Sequence, residues 1–278
     1  MYKDYLNSII DSVKGRYINI LPHDYADVDS IISAIMLSKL LDYYNIKNRI
    51  CIMDKKVSED TKRILSNLGY DLKKFMIYNE KSNKLLFLVD HYATKHEGRV
   101  IGVIDHHFTV SNVNAQVYLY KKSCATAYII YKLMEASSMI VTKEIIELLA
   151  YAMLVDTSVF KSSKTVKSEM EELEKLVTKY NLEDYSKIKD ECLLLTDINN
   201  MSIDEIVQNG RKNYILNYCN VSSSYIQIKG CLEAKELDKL LDDIVKKVLT
   251  DNIDMWVFIS FDMQNDKTYV YYITKIGI

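Results

Sequence analysis

An aspartate and two adjacent histidines, Asp105, His106 and His107, close an apolar run in the stretch VIDHHFTV at residues 103–110. The chain has only five histidines, so two side by side at the end of a strand-like run raise the question of a ligand. Three other segments are built the same way. PHDYADVDS supplies His23, Asp27 and Asp29; LVDH supplies Asp90 and His91; LVDTSVFKSSKT supplies Asp156 followed by Lys161 and Lys164. Each has an ordinary structural role open to it. Asp27 or Asp29 can cap the helix that begins there, and His91 or His106 can be a hydrogen-bonded interior histidine. Taken together they gather carboxylates and imidazoles at the ends of apolar runs, with almost no basic residue among the strand-end sets. So many carboxylates in a partly dry crevice repel one another. Divalent cations remove that conflict, and a metal site accounts for the whole set.

The donor chemistry narrows the metal. Carboxylate oxygen mixed with imidazole nitrogen, and no thiolate, suits Mn²⁺, Co²⁺ or Mg²⁺ better than structural zinc. Two such ions at ~3.5–4 Å make a hydrolytic centre, in which water becomes a nucleophile at neutral pH and an in-line displacement at phosphorus is steadied.

Such a site needs elements to hold it. RYINILPH (16–23) reads as a buried strand, and DSIISAIMLSKLLDYY (29–44) as an amphipathic helix with apolar residues at 31, 32, 35, 37, 40 and 41. NRICIMDK is a second strand, and SEDTKRILSNLGY a helix with Ser58 as its cap. KLLFLVDH (84–91) and RVIGVIDHH (99–107) are continuous apolar runs, the pattern of parallel strands covered on both faces. ATAYIIYKLMEASS and TKEIIELLAYAMLVDT read as helices. The alternation predicts a doubly wound, mainly parallel α/β domain, and ligands in such sheets bind beyond the carboxyl ends of the strands. Helical, charged sequence follows between about 166 and 212. Two strand-like runs (NYILNYCNV, SSYIQIKG), the helix EAKELDKLLDDIVKKVL, and the strands MWVFISFD and KTYVYYITKI joined at MQND then predict a second, smaller α/β domain. The expected division is 1–190 and 191–278.

Composition excludes several classes. At 278 residues the chain has room for two cores. A net charge of −2 draws it neither to nucleic acid nor to an anionic membrane. The N-terminal MYKDYLNSII lacks signal-peptide organisation, and the longest apolar stretches fall short of the ~20 residues a bilayer needs. Five cysteines (51, 124, 192, 219, 231), odd in number and without a CxxC pair, favour reduced, packed thiols in the cytoplasm.

The order and spacing of the four segments resemble the DHH phosphoesterase superfamily, most closely the family II, manganese-dependent inorganic pyrophosphatases. The family's His-x-Asn-Pro-Asp-x-Asp-Ser appears as HDYADVDS, its VDHNE as VDHYA, its IDHH intact and its SDxxxFKSPT as VDTSVFKSSKT. The turn GSTAT has a counterpart in KSCATA, residues 122–127. The match runs over about residues 16–165 and more faintly beyond. The resemblance implies one metal on His23, Asp27 and Asp90, and a second on Asp29, Asp90, His106 and Asp156, with Asp90 bridging. It implies that His107 meets the phosphate, Asp105 orients a ligand and Lys161 and Lys164 lie near the anion. Homodimers are implied as well.

The sequence departs from the family pattern at Tyr25-Ala26 and Tyr92-Ala93, neighbours of proposed ligands. The family's C-terminal Ser-Arg-Lys-Lys clamp has no counterpart before residue 278, which implies a shortened second domain. Arg211 and Lys212, with Lys275, are the nearest substitutes, although a basic pair at a helix end also complements the macrodipole. The expected activity is hydrolysis of inorganic pyrophosphate. The alternatives are a phosphoesterase on the same scaffold acting on short polyphosphate or a nucleotide ester, and a non-catalytic metal- or nucleotide-binding regulator.

Overall fold

The computed structural model describes residues 1–23, 26–52, 57, 59–79, 84–91, 99–107, 114–193, 202–208, 211–216, 219–228, 234–251, 253–263 and 265–275. The chain forms two compact units, Met1–Cys192 and Leu193–Ile278.

The first unit runs α1 (Tyr2–Val13), β1 (Ile18–Leu21), α2 (Val28–Tyr43), β2 (Asn48–Ile52), α3 (Glu59–Asn67), β3 (Met76–Ile77), β4 (Leu85–Val89), β5 (Val100–Asp105), β6 (Val117–Tyr120), α4 (Thr126–Ser137), α5 (Lys143–Asp156), α6 (Lys167–Lys179) and α7 (Tyr185–Leu193). Its six strands lie in the order β3-β2-β1-β4-β5-β6, every neighbouring pair parallel. The chain winds outward from β1 to β3, then restarts at β4 on the other side of β1. That reversal leaves a crevice at the carboxyl ends of β1 and β4, where ligands bind in open sheets. INIL, LLFLV and VIGVID supply the central strands because both of their faces are covered: β1 and β5 are buried throughout, and β4 beyond Leu85.

Gly102 leaves no room for a side chain beside Phe87. It pairs with Phe87 across β4 and β5, and a Cβ there would lie 2.3 Å from the Phe87 ring. The glycine is a packing requirement of the strand that carries Asp105.

Helix α2 differs from the amphipathic reading. Twelve of its sixteen residues are buried, including Asp29, Ser30 and Ser33, because α4 and α5 pack on it as well as β1, β2 and β4. A helix apolar nearly all round is a core helix. The sequence reading also passed over α1, β3 and β6. Strand β3 is two exposed residues at the sheet edge, too short to leave a period. The Ser58 cap lies outside the described residues.

The second unit runs α8 (Ile203–Gln208), β7 (Lys212–Leu216), β8 (Cys219–Ile228), α9 (Ala234–Thr250), β9 (Met255–Asp262) and β10 (Lys267–Thr274). Its sheet has the order β10-β9-β8-β7. The two outer pairs are antiparallel and β8–β9 is parallel, crossed over through α9. Ile226, Ile228, Trp256 and Phe258 pack against Leu240, Ile244 and Val248 of α9, with Ile206 and Val207 of α8. The strand boundary differs from the sequence reading: Cys219–Val221 open β8 rather than closing the run before it.

Candidate metal centre

Each predicted ligand sits where a regular element ends. His23 follows β1 by two residues. Asp27 caps α2, its Oδ1 accepting from the Ser30 N–H at 2.9 Å, so the capping role and the predicted ligand role fall on one carboxylate. Asp29 lies in the first turn of the same helix. Asp90 follows β4 with a left-handed backbone (φ 63°), and its N–H donates to the Ile104 carbonyl at 2.9 Å, prolonging the ladder with β5. Asp105 ends β5, His106 and His107 follow it, and Asp156 ends α5.

These residues, from 23 to 156 in the chain, converge. His23, Asp27 and Asp90 bring one donor atom each within 4.8 Å of one another; so do Asp29, His106 and Asp156, and so do Asp90, His106 and His107. Asp90 stands between the first two sets. His23 Nε2 lies 3.5 Å from Asp90 Oδ2 and from Asp27 Oδ2. His106 Nε2 lies 3.4 Å from Asp90 Oδ1 and from Asp156 Oδ2.

The donors fit a cation better than they fit each other. His106 Nδ1 is 3.0 Å from the Ser123 carbonyl, a contact that requires Nδ1 to carry a proton and turns Nε2 towards two carboxylates, the edge a metal ion would take. His106 Nε2 and Asp156 Oδ2 are both buried and, among the described residues, lack a hydrogen-bond partner. Burial and the charges of Asp156 and Asp27 push Asp29 up to about 7, although the Ala127 and Thr126 N–H groups oppose the shift. Burial and then Asp29, Asp27, Asp156 and Asp105 push Asp90 well above the carboxylate range. Asp27 moves the other way: burial works against it, but His23 beside it holds it below the usual range. Crowded buried carboxylates that are costly to ionise together, with imidazole nitrogens turned towards them, are the signature of a cation site.

The remaining predicted residues surround this core. Asp105 Oδ1 accepts from the His107 N–H at 3.0 Å and lies 2.9 Å from His107 Nδ1. The His107 side chain is 44% exposed, against 3% for His106. Lys164 Nζ donates to Asp156 Oδ1 at 2.6 Å, and the carboxylates of Asp156, Asp90 and Asp27 hold its ammonium charged against the cost of burial. Lys161 is exposed. His91 Nε2 lies 3.0 Å from the Leu21 carbonyl, its ring edge-on to His23 at 6.5 Å between centroids. In the second unit Arg211 stacks 4.5 Å over the Trp256 ring and pairs with Asp251 at 3.4 Å. Tyr25, Tyr92 and Ala93 lie outside the described residues.

Ser33, Ser123, Thr126 and Ala127 support the ligands without having been singled out from the sequence. The N–H groups of Thr126 and Ala127, at the start of α4, donate to Asp29 Oδ2 at 2.7 Å and Oδ1 at 3.0 Å. Thr126 Oγ1 donates to Asp90 Oδ1 at 2.9 Å, and Ser33 Oγ to Asp29 Oδ1 at 3.3 Å. The legible signal was the small-residue KSCATA turn just before a helix, since free N–H groups at a helix start bind carboxylates.

Comparison with known proteins agrees with this geometry. Residues 17–154 match the family model described as the DHH family, N-terminal domain. The chain is 26% identical over 271 residues to a manganese-dependent inorganic pyrophosphatase of Methanocaldococcus jannaschii, covering 90% of this chain and 84% of that protein. It is 23% identical over 257 residues to one from Methanothrix thermoacetophila, covering 88% and 81%. A solved structure from Methanococcus jannaschii, assigned to the family II inorganic pyrophosphatases, superposes with a TM-score of 0.74 at 22% identity, over 94% of this chain and 88% of that one. An exopolyphosphatase-related protein from Bacteroides fragilis shares the fold at a TM-score of 0.56 and 15% identity, over 98% and 83%. The span that matches the DHH family's N-terminal domain runs from β1 to α5, and all the converging carboxylates and imidazoles lie within or just beyond its bounds.

Proposed function

We propose that this protein is a manganese-dependent phosphohydrolase that cleaves inorganic pyrophosphate into two phosphates. One observation carries the reading: carboxylate and imidazole atoms converge within 4.8 Å of one another around Asp90, and of these His106 Nε2 and Asp156 Oδ2 are buried without a hydrogen-bond partner among the described residues. The names of the relatives above supply the substrate.

In this reading His23, Asp27 and Asp90 would hold one ion, and Asp29, Asp90, His106 and Asp156 would hold the other, with Asp90 common to both sets. When bound, the pair supplies acidification of water and neutralisation of charge at phosphorus. The protein's own groups do the rest. Thr126 and Ala127 fix Asp29 so that it enters the site as a carboxylate. Asp105 orients the His107 ring through Nδ1 and leaves Nε2 for the phosphate. Lys164, held on Asp156, brings a positive charge beside the developing anion. Lys161 is a further candidate for the substrate's charge, with Arg211 a candidate from its sequence position. The cytoplasm and a homodimer complete the proposal. Among the described residues Cys51, Cys124 and Cys192 are buried free thiols, and no helix is long and apolar enough to cross a membrane.

Phosphate release from pyrophosphate, tripolyphosphate and a dinucleotide, each with Mn²⁺, Co²⁺ or Mg²⁺, tests the assignment. Pyrophosphate with Mn²⁺ should turn over fastest. A clear preference for tripolyphosphate or the ester overturns the substrate, and tight Mn²⁺ binding without any turnover overturns the enzyme.

A further inference from the structure

The KSCATA turn is tied down from outside the site by a buried acid. Glu169, in the first turn of α6, is only 3% exposed. Its Oε2 accepts from Ser123 Oγ and from the Cys124 N–H, both at 2.8 Å. The same short stretch of chain carries the Ser123 carbonyl that meets His106 Nδ1 and the Thr126 and Ala127 N–H groups that meet Asp29. A second tether lies alongside, from the Val166 N–H to Cys124 Sγ at 3.1 Å. A carboxylate at a helix N-terminus is favourably placed by the macrodipole, and a buried one that accepts two hydrogen bonds is a rigid anchor.

We infer that Glu169 is a positioning residue for one of the two metal ions, the one assigned to Asp29, His106 and Asp156. It touches none of these ligands. It fixes the turn whose backbone sets the tautomer and aim of His106 and fills two acceptor sites on Asp29. The other ion's ligands, His23 and Asp27, take no hydrogen bond from this turn among the described residues, and Asp90 takes one, from the Thr126 hydroxyl. Glu169 therefore acts on the two ions unequally. This inference rests on the metal-centre reading above.

Calorimetric titration of the full-length, metal-free protein with Mn²⁺ tests it, comparing wild type, Glu169→Ala and Glu169→Gln. Wild type should show two binding events. Glu169→Ala should weaken one of them by roughly tenfold or more, as expected for loss of a group that orients a ligand, and leave the other within about threefold of wild type. Glu169→Gln keeps an acceptor oxygen and should restore most of the lost affinity. If Glu169→Ala does not fold by circular dichroism, Ser123→Ala, which removes one of the two bonds, should show the same one-sided weakening. Equal weakening of both events, or none, overturns the inference. Absence of stoichiometric Mn²⁺ binding by wild type overturns the metal centre itself, so the two failures are distinguishable.

Discussion

Asp105 Oδ1 grips His107 twice, at the backbone N–H and at ring Nδ1, across 3.0 and 2.9 Å. Both bonds come from the last residue of β5 to the residue two positions on, so the imidazole is held by a strand end rather than by a mobile loop. Asp105→Ala should lower kcat for pyrophosphate by roughly 10²-fold, the order expected when an acid–base or charge-stabilising imidazole loses its orientation. Mn²⁺ affinity should stay near wild type. Parallel kinetics and metal titration check this, and a matching loss of metal binding would place Asp105 among the ligands instead.

Asp90 is held well above the carboxylate range in the metal-free protein by burial and by four neighbouring aspartates. Asp90→Asn removes that repulsion while tolerating the left-handed backbone at φ 63°. The variant should lose tight binding of both ions, yet its metal-free form should gain on the order of 1 kcal/mol at neutral pH. Thermal melts with chelator and with Mn²⁺ provide the measurement. In wild type, Mn²⁺ at a hundred times its Kd should add about 2.7 kcal/mol, and this increment should vanish in Asp90→Asn.

Gly102→Ala should destabilise the protein by about 1–3 kcal/mol, since the new methyl meets the Phe87 ring with nowhere to go. Displaced β5 backbone carries Asp105 and His106 with it, so activity should fall alongside Tm. Phe87→Leu in the same chain should recover part of both. An unchanged Tm in the single variant would mean the strands have slack there.

Three buried or nearly buried tyrosines donate to glutamates: Tyr128 to Glu172 at 2.5 Å, Tyr131 to Glu135 at 2.8 Å and Tyr151 to Glu191 at 2.6 Å. Burial, then the bonded glutamate, raises each phenol far above its ordinary value. A group whose folded pKa is raised stabilises fully below its unfolded value, so this contribution is intact below about pH 10 and declines as pH rises past it. Tyrosinate absorbance from these residues should therefore appear only with loss of circular dichroism. Tyr128→Phe should cost about 1 kcal/mol at neutral pH and move the alkaline transition upward. Smooth ionisation near pH 10 in a folded chain would contradict the assignment.

The strands bearing the candidate site were legible because LLFLV and VIGVID are apolar without interruption, and the converging acids and histidines because they stand directly after such runs. Helix α2 was misread on its outer side, as its covering by α4 and α5 is a tertiary fact that its own period does not carry. The split between β7 and β8 was missed for a similar reason, since NYILNYCNV is strand-like on both sides of the break. Glu169 left no trace, because an acid in an exposed-looking KSEMEELEK run becomes an anchor only once α6 is set against the turn. Backbone donors such as Thr126 N–H are hidden for a deeper reason: their chemistry does not depend on the side chain.

The proposed ligand set spans residue 23 to residue 156, with its last member at the far end of α5. On that assignment a chain emerging from the ribosome would lack the full chelate until that helix has been made and packed against α2 and α4. Metal loading would then follow completion of α5, late in the synthesis of the first unit.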